Sequence, residues 1–340
     1  MQFKEIIQEN VKKYGARAAY AYHYSDITNI VSILVSETLY SRANAEKLSV
    51  MYNDNASRLI IDLTNDKVTK SVRFYFRPLT PTQYHNEGYK HLQIRYEQDT
   101  NANVPVPVFL VFDLEKLLKN DMTSFSEVSL AGLEKGHLHT VDDFAKMNFA
   151  KIYSHGPMHG TDEIKYRHAE LLYPEAYRIT DSLKWIVCRS ALERDSLLNI
   201  LQQDHHVAYN KFKSHIIVSK KNDMFFNNGL AIEACFLTKN DVNIMFTDAF
   251  NRQEYAMRQM LHTGIPALDM IPICVSALLE RRGQPLWERN YTINVDYLRS
   301  NGIRLTLPET DGADVLKLRI SIEGHLIAYI KKSLLQNNIV

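Results

Sequence analysis

A chain of 340 residues is long for one hydrophobic core, so two domains are the default expectation. Hydrophobic residues make up 45% and charged residues 23%, which excludes a disordered chain, and a formal net charge of +1 excludes whole-molecule attraction to nucleic acid, leaving only a local basic groove. No apolar run reaches transmembrane length and the opening MQFKEIIQENVKK lacks a secretory apolar core, so a cytoplasmic protein with no membrane partner is expected.

Phe3, Ile6, Ile7, Val11 and Tyr14 fall at helical spacing, and residues 2–14 read as an amphipathic helix packed on the rest of the chain. Ala18 to Tyr24 reads as a strand, followed by a short loop and a helix capped by Asp26 ahead of Ile27, Ile30, Val31, Ile33 and Leu34. Such a loop sets His23 and Ser25 beside a helix N-terminus, where free amides favour polar or anionic ligands, although a lone histidine at a strand end is usually just hydrogen-bonded. Residues 44–70 are polar and weakly patterned apart from Leu59-Ile60-Ile61, as expected of a functional loop or lid.

Ser71 to Tyr84, SVRFYFRPLTPTQY, opens as a strand with Val72, Phe74 and Phe76 at alternate positions and passes into a loop at two prolines. Arg73, Tyr75 and Arg77 are expected on its exposed face, with Gln83, Tyr84 and His85 following. Rings beside guanidinium groups suit a ligand that has both a flat base and phosphates, and a solvated cationic edge strand is the plainer alternative. Val108 to Asp113 is a buried strand, Leu114 to Leu118 begins a helix, and residues 119–165 are loop-rich. His155-Gly156-Pro157-Met158-His159 has four-residue spacing, but Gly-Pro breaks the helix that would pair the imidazoles, so no metal is expected there or at His137 and His139. Cys188, Cys235 and Cys274 are far apart among apolar neighbours and read as reduced core thiols.

Tyr166-Arg167-His168-Ala169-Glu170-Leu171-Leu172 places a glutamate midway along an apolar strand, and burying a carboxylate costs several kcal/mol by rough estimate unless it is partnered. It either faces a cleft or pairs with Arg167 or an opposing arginine. Leu183 to Cys188 is a further strand, Ala191 to Leu201 a helix, and His215 to Val218 a strand before Met224-Phe225-Phe226.

Three of these stretches, in order, resemble the DarT family of nucleic-acid ADP-ribosyltransferases: Tyr22-His23-Tyr24-Ser25-Asp26-Ile27-Thr28-Asn29-Ile30 its YHIT-x-x-x-N-L opening, Ser71 to Tyr84 its YVPFYF-x-PRSPMLY strand, and Tyr166 to Leu172 its R-x-x-AE-hydrophobic strand. Ser71-Val72-Arg73 stands where the family has YVP, and Leu79 where it has the arginine of PRSP. The resemblance spans about residues 18 to 226 and implies an α+β fold with a split β-sheet core and flanking helices. It implies NAD+ as co-substrate, with no metal, and Glu170 as the catalytic carboxylate. His23, Ser25 and Asn29 fall to the NAD side, Tyr75 and Tyr84 to stacking on nicotinamide or closing the pocket, and Arg58, the only arginine between Arg42 and Arg73, to the diphosphate or to orienting the glutamate. No GxGxxG is present, so NAD+ is expected as a substrate among strands and loops and not as a redox cofactor. The acceptor implied is a base in single-stranded DNA or RNA, with Arg73, Arg77 and Arg167 on its phosphates and an antitoxin protein as partner in a toxin or phage-defence role. A catalytically inactive single-strand-binding protein and a protein-modifying ADP-ribosyltransferase are the alternatives.

The resemblance ends at residue 226, and the turn-rich Asn227-Asn228-Gly229 marks the expected boundary between a 1–226 transferase domain and a 227–340 accessory domain. The second reads as a smaller α+β unit. Two helices are expected between Arg252 and Arg282, separated near Gly264 and Pro266, then strands in which Ile293, Val295 and Tyr297, Ile303, Leu305 and Leu307, and Leu316, Leu318, Ile320 and Ile322 alternate, with Glu323-Gly324 turning the last hairpin.

Overall fold

A computed structural model describes residues 2–53, 66–96, 99, 101–130, 138–156, 161–220, 223–238, 241–309 and 312–334. Its first strands are β1 (Tyr20–Asp26), β2 (Thr38–Tyr40), β3 (Ser71–Tyr75), β4 (Pro107–Asp113), β5 (Ser124–Ser126), β6 (Glu170–Pro174), β7 (Ala176–Arg178), β8 (Leu183–Cys188) and β9 (Ile216–Val218). Seven of them form one sheet in the order β5-β6-β3-β1-β4-β8-β9, while β2 and β7 pair separately. The expected alternation in β3 holds, with Val72, Phe74 and Phe76 buried together with Leu110, Phe112 and Leu171. Helix α1 (Phe3–Tyr14) buries Ile6 and Ile7 in that same core, and α2 (Ile27–Ser36) buries Ile27, Ile30 and Leu34.

The sheet is split at its middle. β1 and β4 pair along seven residues, but β1 and β3 share a single register pair, Tyr22 with Tyr75. Beyond it the two strands diverge, and the ladder is replaced by a side chain: His23 Nδ1 lies 3.0 Å from the Arg73 carbonyl. No loop separates β1 from α2, as the strand runs to Asp26, whose carboxylate accepts from the Thr28 amide at the helix start. The expected loop after Pro81 is instead a helix, Pro81–Asn86, capped by Thr80 with proline in the first turn, where its missing N–H costs nothing.

The remaining strands are β10 (Ile232–Leu237), β11 (Asp241–Phe246), β12 (Ile271–Arg281), β13 (Gln284–Val295), β14 (Gly302–Thr306), β15 (Val315–Ile322) and β16 (His325–Ser333), in sheets ordered β10-β11-β14 and β13-β12-β15-β16. Among the described residues one helix, Phe250–Thr263, accompanies them and ends at Gly264 in the left-handed conformation. The second expected helix is a strand, because Ile271, Ile273, Val275, Ala277 and Leu279 are buried at a period of two and three of those five are β-branched. Cys188 and Cys235 are buried as expected, but Cys274 lies on the outward phase of β12 and is exposed.

Where the chain crosses from one set of sheets to the other it is tightly held. The buried Glu87 accepts from the Phe226 and Asn227 amides at 2.9 and 2.7 Å, and the buried Lys90 donates to the Asn228 carbonyl and side chain, each at 2.6 Å. Gly229 passes so close to the Glu87–Gly88 backbone that a Cβ there would sit 2.6 Å from the Gly88 carbonyl carbon. Side chains are also exchanged: Tyr89 and Ile94 join the second core, while Leu326 and Tyr329 of β16 join the first. Among the described residues no helix is long and apolar enough to cross a membrane.

Candidate active site

Glu170 begins β6, flanked by Tyr75 of β3 on one side and Ser126 of β5 on the other. Its side chain is fully buried. Oε2 accepts from Arg73 Nε at 2.5 Å, and Oε1 accepts from the Leu130 amide at 3.0 Å. A carboxylate with one cation and one backbone donor is fixed in place and kept from collapsing into the core. Arg73 is about a third exposed, so one member of the ion pair meets solvent while the other does not.

Register pairing puts Tyr22, Tyr75, Glu170 and Ser126 on one face of the sheet. By alternation His23 belongs to the other face and reaches the opening from behind, through its bond to the Arg73 carbonyl. Burial lowers the His23 pKa, against the opposing pull of that bond, so the imidazole is neutral near pH 7. A neutral ring that donates from Nδ1 leaves Nε2 as an acceptor. His23 and Glu170 thus flank the split from its two sides.

Asn29 is committed internally. Its Nδ2 donates to Ser25 Oγ at 3.1 Å and to the Asn53 carbonyl at 2.7 Å, while Oδ1 accepts from the Tyr52 and Asn53 amides at 2.8 and 3.0 Å. Ser25 and Asn29 therefore pin the chain where it enters the polar segment. Arg58 lies outside the described residues, as do Leu59-Ile60-Ile61, His137 and His159. Tyr84 is not gathered with Tyr75 and Glu170: its ring packs edge-on against Phe226 and Tyr255 at 5.2 and 5.4 Å, toward the second set of sheets.

Arg73 and Arg77 do not share an exposed face. β3 ends at Tyr75, so alternation stops before Arg77, which turns inward to 3% exposure, and Arg167 is likewise buried. His168 is held between Thr82 and the Ile164 carbonyl, and burial, with the Arg73 charge behind it, pushes its pKa down to about 4. Among the described residues no group of three or more His, Cys, Asp or Glu is placed to hold a metal. One participant carries no sequence signal: the Leu130 amide on Glu170.

The fold and site define a mixed α+β protein with a split sheet, whose buried carboxylate, cations and aromatic rings suit nucleotide chemistry. A model of the family described as "ssDNA thymidine ADP-ribosyltransferase, DarT" matches residues 22–226, more than half of the chain. The chain belongs to the DarT family of ADP-ribosyltransferases. Among solved structures it is similar to Thermus sp. 2.9 DarT in complex with ADP-ribosylated ssDNA, at 16% identity and a TM-score of 0.49 over 60% of this chain and 95% of that one. The same Thermus protein in complex with NAD+ aligns at 15% identity and a TM-score of 0.47 over 60% and 96%. Thermosipho africanus DarTG in complex with ADP-ribose aligns at 14% and 0.45, over 69% of this chain and 57% of that one. No curated protein matches.

Proposed function

We propose that this protein transfers ADP-ribose from NAD+ to a base in single-stranded DNA, with Glu170 as the catalytic carboxylate. The observation that carries the proposal is the placement of Glu170: buried at the split, in register with Tyr75, and held by Arg73 and the Leu130 amide. Cleavage of the nicotinamide–ribose bond builds positive charge on the sugar, and a carboxylate fixed nearby stabilises that charge. As the base nitrogen or hydroxyl attacks the anomeric carbon and nicotinamide departs with the bonding pair, the same carboxylate accepts the acceptor's proton. His23 offers Nε2 to a ribose hydroxyl, Tyr75 offers a ring face, and Ser25 with Asn29 holds the chain at Tyr52 and Asn53, while Arg58 is assigned to the diphosphate or to orienting the glutamate by the family resemblance alone. Tyr84 packs on Phe226 and Tyr255, toward residues 227–340, which we read as an accessory domain that directs the acceptor choice of the 1–226 transferase domain.

A cytoplasmic location and a toxin or phage-defence role under an antitoxin belong to the same proposal and rest on the family resemblance, with RNA as the alternative acceptor. The full burial of Glu170 favours one competing reading, a protein that holds single strands without turnover. Labelled NAD+ offered separately with single-stranded DNA, RNA and protein decides among them. Label on DNA supports the proposal, label only on RNA or protein moves the acceptor class, and no label with intact strand binding supports the binder.

A further inference from the structure

Three guanidinium groups meet at one end of the split and, among the described residues, no carboxylate is in ion-pair contact with any of them. Arg17 precedes β1, Arg77 follows β3 and Arg167 precedes β6, so three separate segments deliver them to neighbouring strand ends. All three lean on the turn that follows the helix Phe149–Ile152. Arg17 Nη2 donates to the Tyr153 carbonyl at 3.2 Å and also to His155 Nε2. Arg77 Nη1 donates to the Ile152 and Ser154 carbonyls at 2.8 and 2.6 Å. Arg167 donates from Nε to Ser154 Oγ at 3.1 Å and from Nη1 to the Gly156 carbonyl at 3.0 Å.

Carbonyl and hydroxyl oxygens take up the donor hydrogens but supply no net negative charge, so three positive charges stand together in a poorly hydrated place. Arg77 and Arg167 are 3% and 6% exposed. Arg167 Nη2, Arg17 Nε and the Tyr153 hydroxyl are buried without a hydrogen-bond partner among the described residues. The like-charge cost is felt: burial, then Arg167 and Arg17, bring the Arg77 pKa down to about 9, and burial followed by the same three arginines lowers that of the exposed His155. Asp223 acts on Arg17 only weakly, behind burial and two tyrosines. If the groups served only to tie the turn to the sheet, neutral amide donors would do so without the repulsion.

We infer that Arg17, Arg77 and Arg167, on the Ile152–Gly156 turn, form a socket for a phosphate group. Arg77 and Arg167 lie two and three residues along the chain from Tyr75 and Glu170, which puts the socket roughly 7–10 Å from the carboxylate at the rise of a strand. The inference rests on the proposed function only in naming whose phosphate is bound, a phosphodiester of the acceptor strand or the diphosphate of the dinucleotide.

The test is titration calorimetry on the full chain with pyrophosphate, ADP-ribose, a short oligothymidylate, and the same oligomer with uncharged methylphosphonate linkages. Arg167→Gln should weaken a phosphate-bearing probe by about tenfold or more, the usual cost of losing one charge-assisted bond. Its melting temperature should hold or rise without ligand, because a buried like charge has gone. Arg17→Gln, at a half-buried position, gives the same reading should Arg167→Gln not fold. Loss confined to the oligothymidylate, with the methylphosphonate oligomer already weak on wild type, identifies the acceptor strand, and loss confined to ADP-ribose identifies the dinucleotide. Unchanged affinity for every probe in both variants overturns the socket. Reduced pyrophosphate binding alongside failure to label any acceptor would retain the socket and discard the proposed function.

Discussion

Arg73 and Arg77 stand four residues apart on one segment and are both largely withdrawn from water, yet they are in opposite electrical situations. Arg73 faces the Glu170 carboxylate at 2.5 Å, and its charge is already compensated. Among the described residues, Arg77 faces carbonyl oxygens and two further arginines. The difference teaches that burial alone does not mark a ligand site. A buried cation with an internal carboxylate is structural or positions that carboxylate, whereas a buried cation without one awaits an anion.

The largest effect that would break this contrast is on the carboxylate itself. Glu170→Gln keeps the acceptor for Arg73 and the Leu130 amide but removes the charge, and should cut transfer from NAD+ by roughly 10²-fold or more while the fold survives. A single-turnover labelling assay beside a thermal melt checks it; near wild-type labelling would remove Glu170 from the chemistry. Next is Arg73→Gln, which strands a buried carboxylate. Because Arg73 is itself partly exposed, the expected stability loss is about 1–3 kcal/mol by denaturant unfolding, against little or no loss for Arg167→Gln. Equal losses in both would erase the distinction between the two sites.

A smaller effect concerns salt. If the acceptor strand fills the socket, Arg167→Gln should reduce the slope of log affinity against log salt by about 0.7 on a single-stranded oligomer, and Arg73→Gln should leave it unaltered. The smallest is on pH. The His168 pKa is about 4 in the folded chain against an ordinary 6.5, so the unfolded chain binds more protons between those values. The stability tied to this group is complete above pH 6.5 and declines as pH falls toward 4, so His168→Gln should flatten the acid limb of an unfolding-versus-pH curve. Arg73 is the second cause of the shift, so in Arg73→Gln the His168 pKa rises toward its unfolded value and its share of the decline should be smaller and end at a higher pH.

Much of the fold was legible because burial imposes a period. Alternation in SVRFYF, in residues 303–307 and in residues 316–322 has to face a core, and all three are strands with those positions inward. The segment after Gly264 is a strand and not the expected helix, because a stop signal marks where one helix ends and carries no information about the next element, which the period-two burial from Ile271 to Leu279 decides. In the site, Glu170, Arg73 and His23 were legible as types of residue in order, but their relations were not. Which arginine meets Glu170 depends on β3 lying beside β6, a pairing between residues 97 positions apart.

The sequence by itself determined the strands that carry His23, Arg73 and Glu170, the family to which residues 22–226 belong, and the presence of a carboxylate in an apolar strand. Only the tertiary structure decided that the sheet opens after one residue pair, that Arg73 neutralises Glu170, and that Arg17 joins Arg77 and Arg167 on one turn. The physical reason is range. Periodicity and capping act over a few residues and are written locally, whereas charge compensation depends on which distant segments meet in a place that water does not reach.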